Sequence, residues 1–352
     1  MTDVAGVAGV SGVDLGRLAA WMDGQGLADG PITDVERLGG GTQNVILRFR
    51  RGAEPFVLRH PPPHKRDNSD ETMRREARVL TALAGTAVPH PRLIAACGDE
   101  SVLGAAFYLM EPVDGANPTV GLPPAYVESP EWRHRLGLAM ADGAAAVGAV
   151  DHVAAGLDGL GRADGYLERQ VARWRAQLDS YARLPGYPGP DLPGVDEVAA
   201  WLGAHRPTSW QPGLIHGDYH LGNVLCAPGR PGLVAIVDWE LATIGDPLLD
   251  LGWLLATWPG DDVPPLETLI VRPWDGFPTA DELVQRYAER SPRDVSAIAW
   301  YEVLACYKLA IIVEGTHARA CAGMAPPATG RTLHTAARGL LQRALTRLTT
   351  PR

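Results

Sequence analysis

Three things are scarce in this chain, and each scarcity removes a class of protein. Only four cysteines occur in 352 residues, Cys97, Cys226, Cys306 and Cys321, and no two form a C-x-x-C pair. No disulfide scaffold is therefore expected, and the four read as core thiols of a reducing compartment. Positive charge is short as well: Lys+Arg 32 against Asp+Glu 41 leaves −9. That balance argues against a nucleic-acid partner, whose affinity would come from phosphate neutralisation. An anionic ligand would need a local basic pocket. Long apolar runs are missing too; Asp250 interrupts LLDLGWLLATW, and no stretch reaches the roughly 18 residues that a membrane helix needs. The start, MTDVAGVAGVSGVDLG, carries Asp3 and no Lys or Arg before Arg17, unlike a signal peptide. The expectation is a cytoplasmic protein with no membrane partner.

What is present is the composition of a folded domain. Apolar residues make up 46%, charged residues 21% and aromatics 7%, so neither disorder nor a coiled coil is the main architecture. The length suits two compact units or one large bilobal one. Gly and Pro cluster at 61–64, 88–91, 185–194 and 227–232 and punctuate the chain; no internal repeat is visible. Between the first two clusters, Met73, Ala77, Leu80 and Ala84 recur at helical spacing after Asn68, Ser69 and Asp70, which predicts a helix over about 70–84. VERLGG, NVILRFR, PFVLRH, PRLIAAC and AAFYLMEPV read as short antiparallel strands. After MEPVDG the pattern becomes helical, interrupted by the strand candidates GLIHGD, NVLCA and LVAIVDW. The reading is an α+β fold: a small antiparallel-sheet lobe over 1–110 with a flexible start of about 13 residues, a hinge at 111–116, and a larger, mainly helical lobe over 117–352.

The chemistry concentrates in His216-Gly217-Asp218-Tyr219-His220-Leu221-Gly222-Asn223, followed by Asp238 in AIVDWE. Phosphoryl transfer needs an acceptor for a hydroxyl proton and oxygen ligands for magnesium, and Asp-x-x-x-x-Asn with a second Asp after a strand supplies both. Two other readings compete: a hairpin with incidental polar residues, and a His-Asp-His metal site at 216, 218 and 220. The second leaves Asn223 and Asp238 without a role.

HGDYHLGNVL together with VDWELATIGDPLLDLGWLL resembles the aminoglycoside phosphotransferase and choline kinase superfamily, whose fold is protein-kinase-like. FVLRHPP, REARVLTAL and VLGAAFYLMEPVDG add a likeness to the branch found as stand-alone bacterial proteins and fused to some acyl-CoA dehydrogenases, covering roughly residues 30 to 320. The resemblance implies Asp218 as catalytic base, Asn223 and Asp238 as magnesium ligands, His216 as the structural histidine opening the loop, and Asp250 as the aspartate that braces it. It also implies ATP or GTP with Mg²⁺ as cofactors, and a functional link to acyl-CoA metabolism.

The small lobe adds Gly39, Gly40 and Gly41 between two strand candidates, a run able to form a backbone flap over phosphates or a plain turn. In protein kinases the next strand supplies a Lys that touches the phosphates and pairs with a helix Glu. Here Arg59 and Glu76 hold those places, and the alternatives are a surface arginine and a solvated helix charge. Met110 to Gly115 falls at the hinge, where backbone groups of Glu111 and Val113 are expected to bind the adenine edge. The family's Leu-His pair is replaced by Val147-Gly148, to which no role falls.

The expected activity is transfer of the γ-phosphate to a hydroxyl of a small molecule. Residues 238–294 hold twelve Asp or Glu against four Lys or Arg, which suits either a cationic aminoglycoside or a solvated surface. Trp239, Trp253, Trp258 and Trp274 could line an apolar acceptor pocket or pack in the core. The acceptors in competition are an aminoglycoside-like cation and a hydroxyacyl-CoA or other non-antibiotic metabolite. A nucleotide-binding pseudokinase is the alternative of another class, and Arg59 alone speaks for it. Trp239-Glu240, in place of Phe-Gly, argues against a protein kinase.

Overall fold

The computed structural model describes residues 12–39, 44–260 and 267–349. The chain divides into two compact units, Met1–Asp114 with Val237–Glu240, and Gly115–Ile236 with Leu241–Arg352. In the first unit, helix α1 (Leu15–Gly24) precedes strands β1 (Ile32–Arg37), β2 (Val45–Arg51) and β3 (Glu54–His60). Helix α2 (Ser69–Leu83), strand β4 (Leu93–Cys97), the single turn α3 (Glu100–Leu103) and strand β5 (Phe107–Met110) follow. The five strands form one antiparallel sheet in the order β1-β2-β3-β5-β4. Because side chains alternate along a strand, the register decides what each face carries. Leu47 pairs with Leu58, and Arg59 pairs with both Ile46 and Tyr108. Leu47, Phe49, Phe56, Leu58 and Leu109 share a buried cluster with Leu15, Leu18 and Met22 of α1. Arg59 and Tyr108 alternate with those core residues and so belong to the opposite face.

Helix α1 is a departure from the sequence reading, which has only strands ahead of α2. Its apolar residues recur at i, i+3 and i+7, and the Asp14 side chain accepts from the Arg17 N–H at 3.0 Å, an N-cap that fixes its start. Val13 is buried in the same cluster, whereas residues 1–11 of the expected flexible start lie outside the described residues. The helix ends against Arg51 of β2. That buried guanidinium donates to the carbonyls of Ala19, Leu27 and Gly30 at 3.1, 3.2 and 3.0 Å and pairs with Asp23.

The second unit opens with α4 (Pro124–Glu128), α5 (Pro130–Gly148), α6 (Tyr166–Ser180) and α7 (Val195–Ala204). Four short strands follow: β6 (Gly213–Ile215), β7 (Val224–Cys226), β8 (Leu233–Ile236) and β9 (Thr243–Gly245). Helices α8 (Leu248–Thr257), α9 (Ala280–Arg290), α10 (Ile298–Cys321) and α11 (Pro327–Thr349) complete it. Strand β9, absent from the sequence reading, pairs with β6, while β7 pairs with β8. Helix α10 is apolar on most sides and buries Tyr301, Leu304, Tyr307 and Ile311, as a central helix must. A small antiparallel sheet unit beside a larger helical one in sequence makes the architecture α+β. Among the described residues no helix is long and apolar enough to cross a membrane.

Arg51 generates a stability prediction. Arg51→Met keeps the aliphatic stem but leaves three carbonyls without their donor, at about 1 kcal/mol each, so denaturant unfolding should show a loss of about 3 kcal/mol. A midpoint equal to wild type would mean that water replaces the guanidinium at no cost.

Candidate active site

In the first unit, Arg59 is buried among acids. Its Nε lies 2.9 Å from Glu76 Oε2, and its Nη2 donates to Glu76 Oε1 at 3.3 Å and to Asp238 Oδ1 at 2.6 Å. Glu240 stands 4.0 Å away. Tyr108, the cross-strand neighbour of Arg59, donates its hydroxyl to Glu76 Oε2 at 2.7 Å. Burial pushes the Glu76 carboxyl up to about 7, although Arg59 and Tyr108 pull it down. Burial likewise opposes the Arg59 charge, but Tyr108, Glu76 and Asp238 outweigh it and hold the guanidinium protonated. Asp238 has φ +66°, a left-handed conformation that a non-glycine residue adopts at a cost of about 1–3 kcal/mol. Carboxylate oxygens of Glu76, Asp238 and Glu240 lie within 4.8 Å of one another. All three are hard oxygen donors, and the 37% exposed Asp238 side chain is accessible, a set that fits a hard divalent cation.

In the second unit, β6 delivers His216, fully buried, into the loop that carries Asp218. The Asp250 carboxylate on α8 accepts the backbone N–H groups of His216 and Gly217 at 2.6 and 2.9 Å. Gly217 has φ +86°, and a Cβ there would meet the Leu241 carbonyl oxygen at 2.6 Å, so only glycine fits. Asp218 follows with every oxygen engaged. Trp253 donates its indole N–H to Oδ1 at 2.9 Å, His220 Nε2 lies 3.3 Å from the same atom, and Asn223 Nδ2 donates to Oδ2 at 3.0 Å. Asn223 Nδ2 also reaches the Asp218 carbonyl at 2.9 Å. Those two acceptors fix the amide flip and turn the Asn223 Oδ1 away from Asp218. His220 Nδ1 accepts from Gly222 N–H at 3.0 Å, so in the neutral ring Nε2 carries the proton and donates to Asp218. Burial opposes the Asp218 charge, but the His220 hydrogen bond and the positive groups around it prevail and hold the carboxyl well below the usual range. Its side chain remains 32% exposed.

The sequence-derived residues thus fall into two groups. Arg59, Glu76 and Asp238 come together in the first unit; His216, Asp218, Asn223 and Asp250 come together in the second. Gly39 is exposed at the end of a described stretch, and Gly40 and Gly41 lie outside the described residues. Glu111 pairs with Arg92 and donates its N–H to the Arg92 carbonyl at 2.9 Å, so its amide is engaged. Among the described residues, the Val113 backbone makes no hydrogen bond. His216, Asp218 and His220 do not converge as metal ligands, because His216 Nδ1 faces the Asp218 backbone N–H at 3.3 Å.

Several contacts of the site are not in the sequence reading. Trp253, expected as a pocket-lining or core residue, instead donates to Asp218; it lies three residues after Asp250 on one face of α8, a spacing that carries some signal. The other tryptophans pack: Trp258 donates to the Pro278 carbonyl at 2.9 Å, Trp274 stacks on Phe277 at 4.3 Å, and Trp239 is buried. Lys308 of α10 donates to the Gly217 carbonyl at 3.2 Å and had no local signal at all. Tyr108 and Glu240 complete the Arg59 cluster.

These two constellations sit in a chain that belongs to the phosphotransferase enzyme family, whose profile matches residues 34–283. Human acyl-CoA dehydrogenase family member 11 is 31% identical over 290 residues, covering 79% of this chain and 35% of that protein. The chain therefore spans about a third of the length of this curated relative. A crystal structure from Ralstonia eutropha, described as a candidate aminoglycoside phosphotransferase, is 30% identical with a TM-score of 0.78, covering 95% of this chain and 99% of that one. Aminoglycoside 2'-phosphotransferase-IIIa, solved as a GDP complex, shares the fold at 18% identity and a TM-score of 0.63, over 95% and 99% of the two chains. The fold is accordingly the kinase-like one of this family.

The Asp250 brace is testable apart from any activity. In Asp250→Asn one of the two N–H donors faces an NH₂ group instead of an oxygen, so stability should fall by about 1–3 kcal/mol. Urea unfolding with an unchanged midpoint would show that the loop holds its shape without the carboxylate.

Proposed function

We propose that the protein transfers the γ-phosphoryl group of ATP or GTP, with Mg²⁺, to a hydroxyl of a small molecule. One observation carries this reading: the ionised, partly exposed Asp218 carboxylate, aimed by Trp253, His220 and Asn223 in a phosphotransferase-family chain. Asp218 orients the acceptor hydroxyl and takes its proton as the new O–P bond forms. The bond from the γ-phosphorus to the bridging oxygen breaks, and its electron pair leaves with the nucleoside diphosphate. A carboxylate with so low a proton affinity is a weak base, but a largely dissociative transition state asks mainly for orientation. Asn223 and Asp238 would hold Mg²⁺, which when bound neutralises charge on the phosphates. Arg59 would contact the phosphates, oriented by Glu76, beneath a flap of Gly39, Gly40 and Gly41. The Glu111 carbonyl and the Val113 N–H would take the adenine edge. The GDP complex of the relative with the same fold supports a nucleotide site.

For the acceptor, the positive groups near Asp218 favour a hydroxyacyl-CoA or another non-antibiotic metabolite over a polycation. Lys308 acts on Asp218 directly, as do His216 and His220, while the exposed Arg173 acts on Lys308. The relatives named acyl-CoA dehydrogenase support a link to acyl-CoA metabolism. The aminoglycoside reading draws on the description of the Ralstonia protein. The pseudokinase reading weakens because Asp218, Asn223 and Asp238 are all present and Arg59 pairs with Glu76.

A screen of hydroxyl compounds, including acyl-CoA derivatives and kanamycin-type amines, for acceptor-dependent nucleoside diphosphate formation tests the reading. Asp218→Asn should cut transfer by about 10²–10⁴-fold with nucleotide affinity nearly unchanged in calorimetry. Asp238→Ala should weaken Mg²⁺-dependent nucleotide binding by at least about tenfold. Wild-type turnover in Asp218→Asn excludes its role as base, and salt-sensitive phosphorylation of kanamycin-type compounds alone would reverse the choice of acceptor. Arg59→Lys should keep part of the activity that Arg59→Ala loses; wild-type kinetics in both would make Arg59 structural.

A further inference from the structure

Lys308 is a half-buried cation that no step of the transfer uses. It is one of two lysines among 32 basic residues, so a compact ammonium stands where this chain elsewhere places guanidinium groups. From α10 its Nζ lies over the Trp253 ring at 4.1 Å and near the Trp174 ring of α6 at 5.5 Å, and it donates to the Gly217 carbonyl at 3.2 Å. Gly217 is thereby fixed at both polar groups, its N–H by Asp250 and its carbonyl by Lys308. The residue that precedes Asp218 cannot rotate without losing one of them.

We propose that Lys308 is a positioning residue for Asp218: its ammonium holds the Gly217 peptide and polarises the Trp253 indole, whose N–H aims the carboxylate. A cation on the face of an indole draws electron density from the ring and makes the N–H a stronger donor, and hydrogen bonds in a chain strengthen one another. That donor is the one 2.9 Å from Asp218 Oδ1. The inference rests on Asp218 orienting the acceptor. The charges facing Lys308 are Asp218 on the loop, Asp250 on α8 and Arg173 on α6. Burial lowers the amine to about 8, with Asp218 and Asp250 pulling the other way and Arg173 adding to the fall. The cation is present below that pH and is lost above it.

The test compares wild type, Lys308→Met, Lys308→Arg and Asp218→Asn in phosphate release from Mg·ATP with water as acceptor. Lys308→Met fills the space without charge and should lower kcat about tenfold with KM for ATP within about twofold. Lys308→Arg should recover part of the loss. Wild-type turnover should fall above about pH 8, and the arginine variant should lack that limb. The Trp253 indole N–H signal in heteronuclear NMR, assigned with Trp253→Phe, provides a readout independent of turnover. It should shift in Lys308→Met, return towards its place in Lys308→Arg, and follow the amine titration in wild type between about pH 7 and 9. Wild-type kcat in Lys308→Met overturns the proposal, as does an indole signal that ignores both substitution and pH. Should Lys308→Met fail to fold, the wild-type titration and the arginine variant still decide. Undiminished release in Asp218→Asn would instead remove the reading of Asp218, while the indole signal still judges Lys308.

Discussion

The loop that carries Asp218 depends on one carboxylate, that of Asp250. Two consecutive backbone N–H groups, those of His216 and Gly217, point at its two oxygens, which is a geometry an extended strand does not offer. The chain turns there because Gly217 adopts φ +86° in a space that admits no Cβ. Burial pushes the Asp250 carboxyl up, and His216, the N–H pair and Lys308 oppose that push and make a charge at this depth tolerable. One helical turn of α8 does two jobs. Asp250 fixes the backbone leading into Asp218, and Trp253, three residues on, fixes the side chain. A shift of α8 would move both at once, which couples the direction of the carboxylate to the packing of the second unit.

The Arg59 cluster solves a different problem. Glu76, Asp238 and Glu240 crowd one buried cation. An ammonium is a point charge that suits one partner at a time, whereas the guanidinium presents Nε to Glu76 and Nη2 to Asp238 from a rigid plane. Arginine at this place therefore has a physical reason rather than marking decay of the site. With three carboxylates against one guanidinium the cluster keeps surplus negative charge, and Tyr108 relieves part of it by donating to Glu76. The strained backbone of Asp238 persists because the Arg59 pair holds the side chain in place.

What was legible in the sequence was local. The loop motif concentrates His216, Asp218, Asn223 and their turn glycines within eight residues, and α2 announced itself through its spacing and the acids at its start. Helix α1 is equally local, with a cap and a repeating apolar face, although the sequence reading places only strands ahead of α2. Lys308 and Tyr108 are another matter. They act on Gly217 and Glu76 across 91 and 32 residues of chain, and no periodicity or spacing records such a meeting. Strand β9 is three residues long and exists through its pairing with β6, so it too has no signature of its own.

The acidic surplus between residues 238 and 294 illustrates why net charge is a poor guide to a site. Asp246 accepts from the Leu248 N–H at 3.1 Å and from the Tyr301 hydroxyl, Glu282 accepts from the Thr279 N–H at 2.7 Å to cap α9, and Asp294 accepts from the Ser296 N–H at 2.9 Å. Asp275 pairs with Arg133 at 2.7 Å and Glu289 with Arg286 at 3.5 Å. Those acids hold turns, helix starts and neighbouring helices together, and their fields are largely cancelled by the donors they bind. Near Asp218 the surroundings differ, because Lys308, half-buried over the Trp253 ring, faces both Asp218 and Asp250. A chain with a formal charge of −9 can in this way still set a cation beside one particular carboxylate, which its net charge does not reveal.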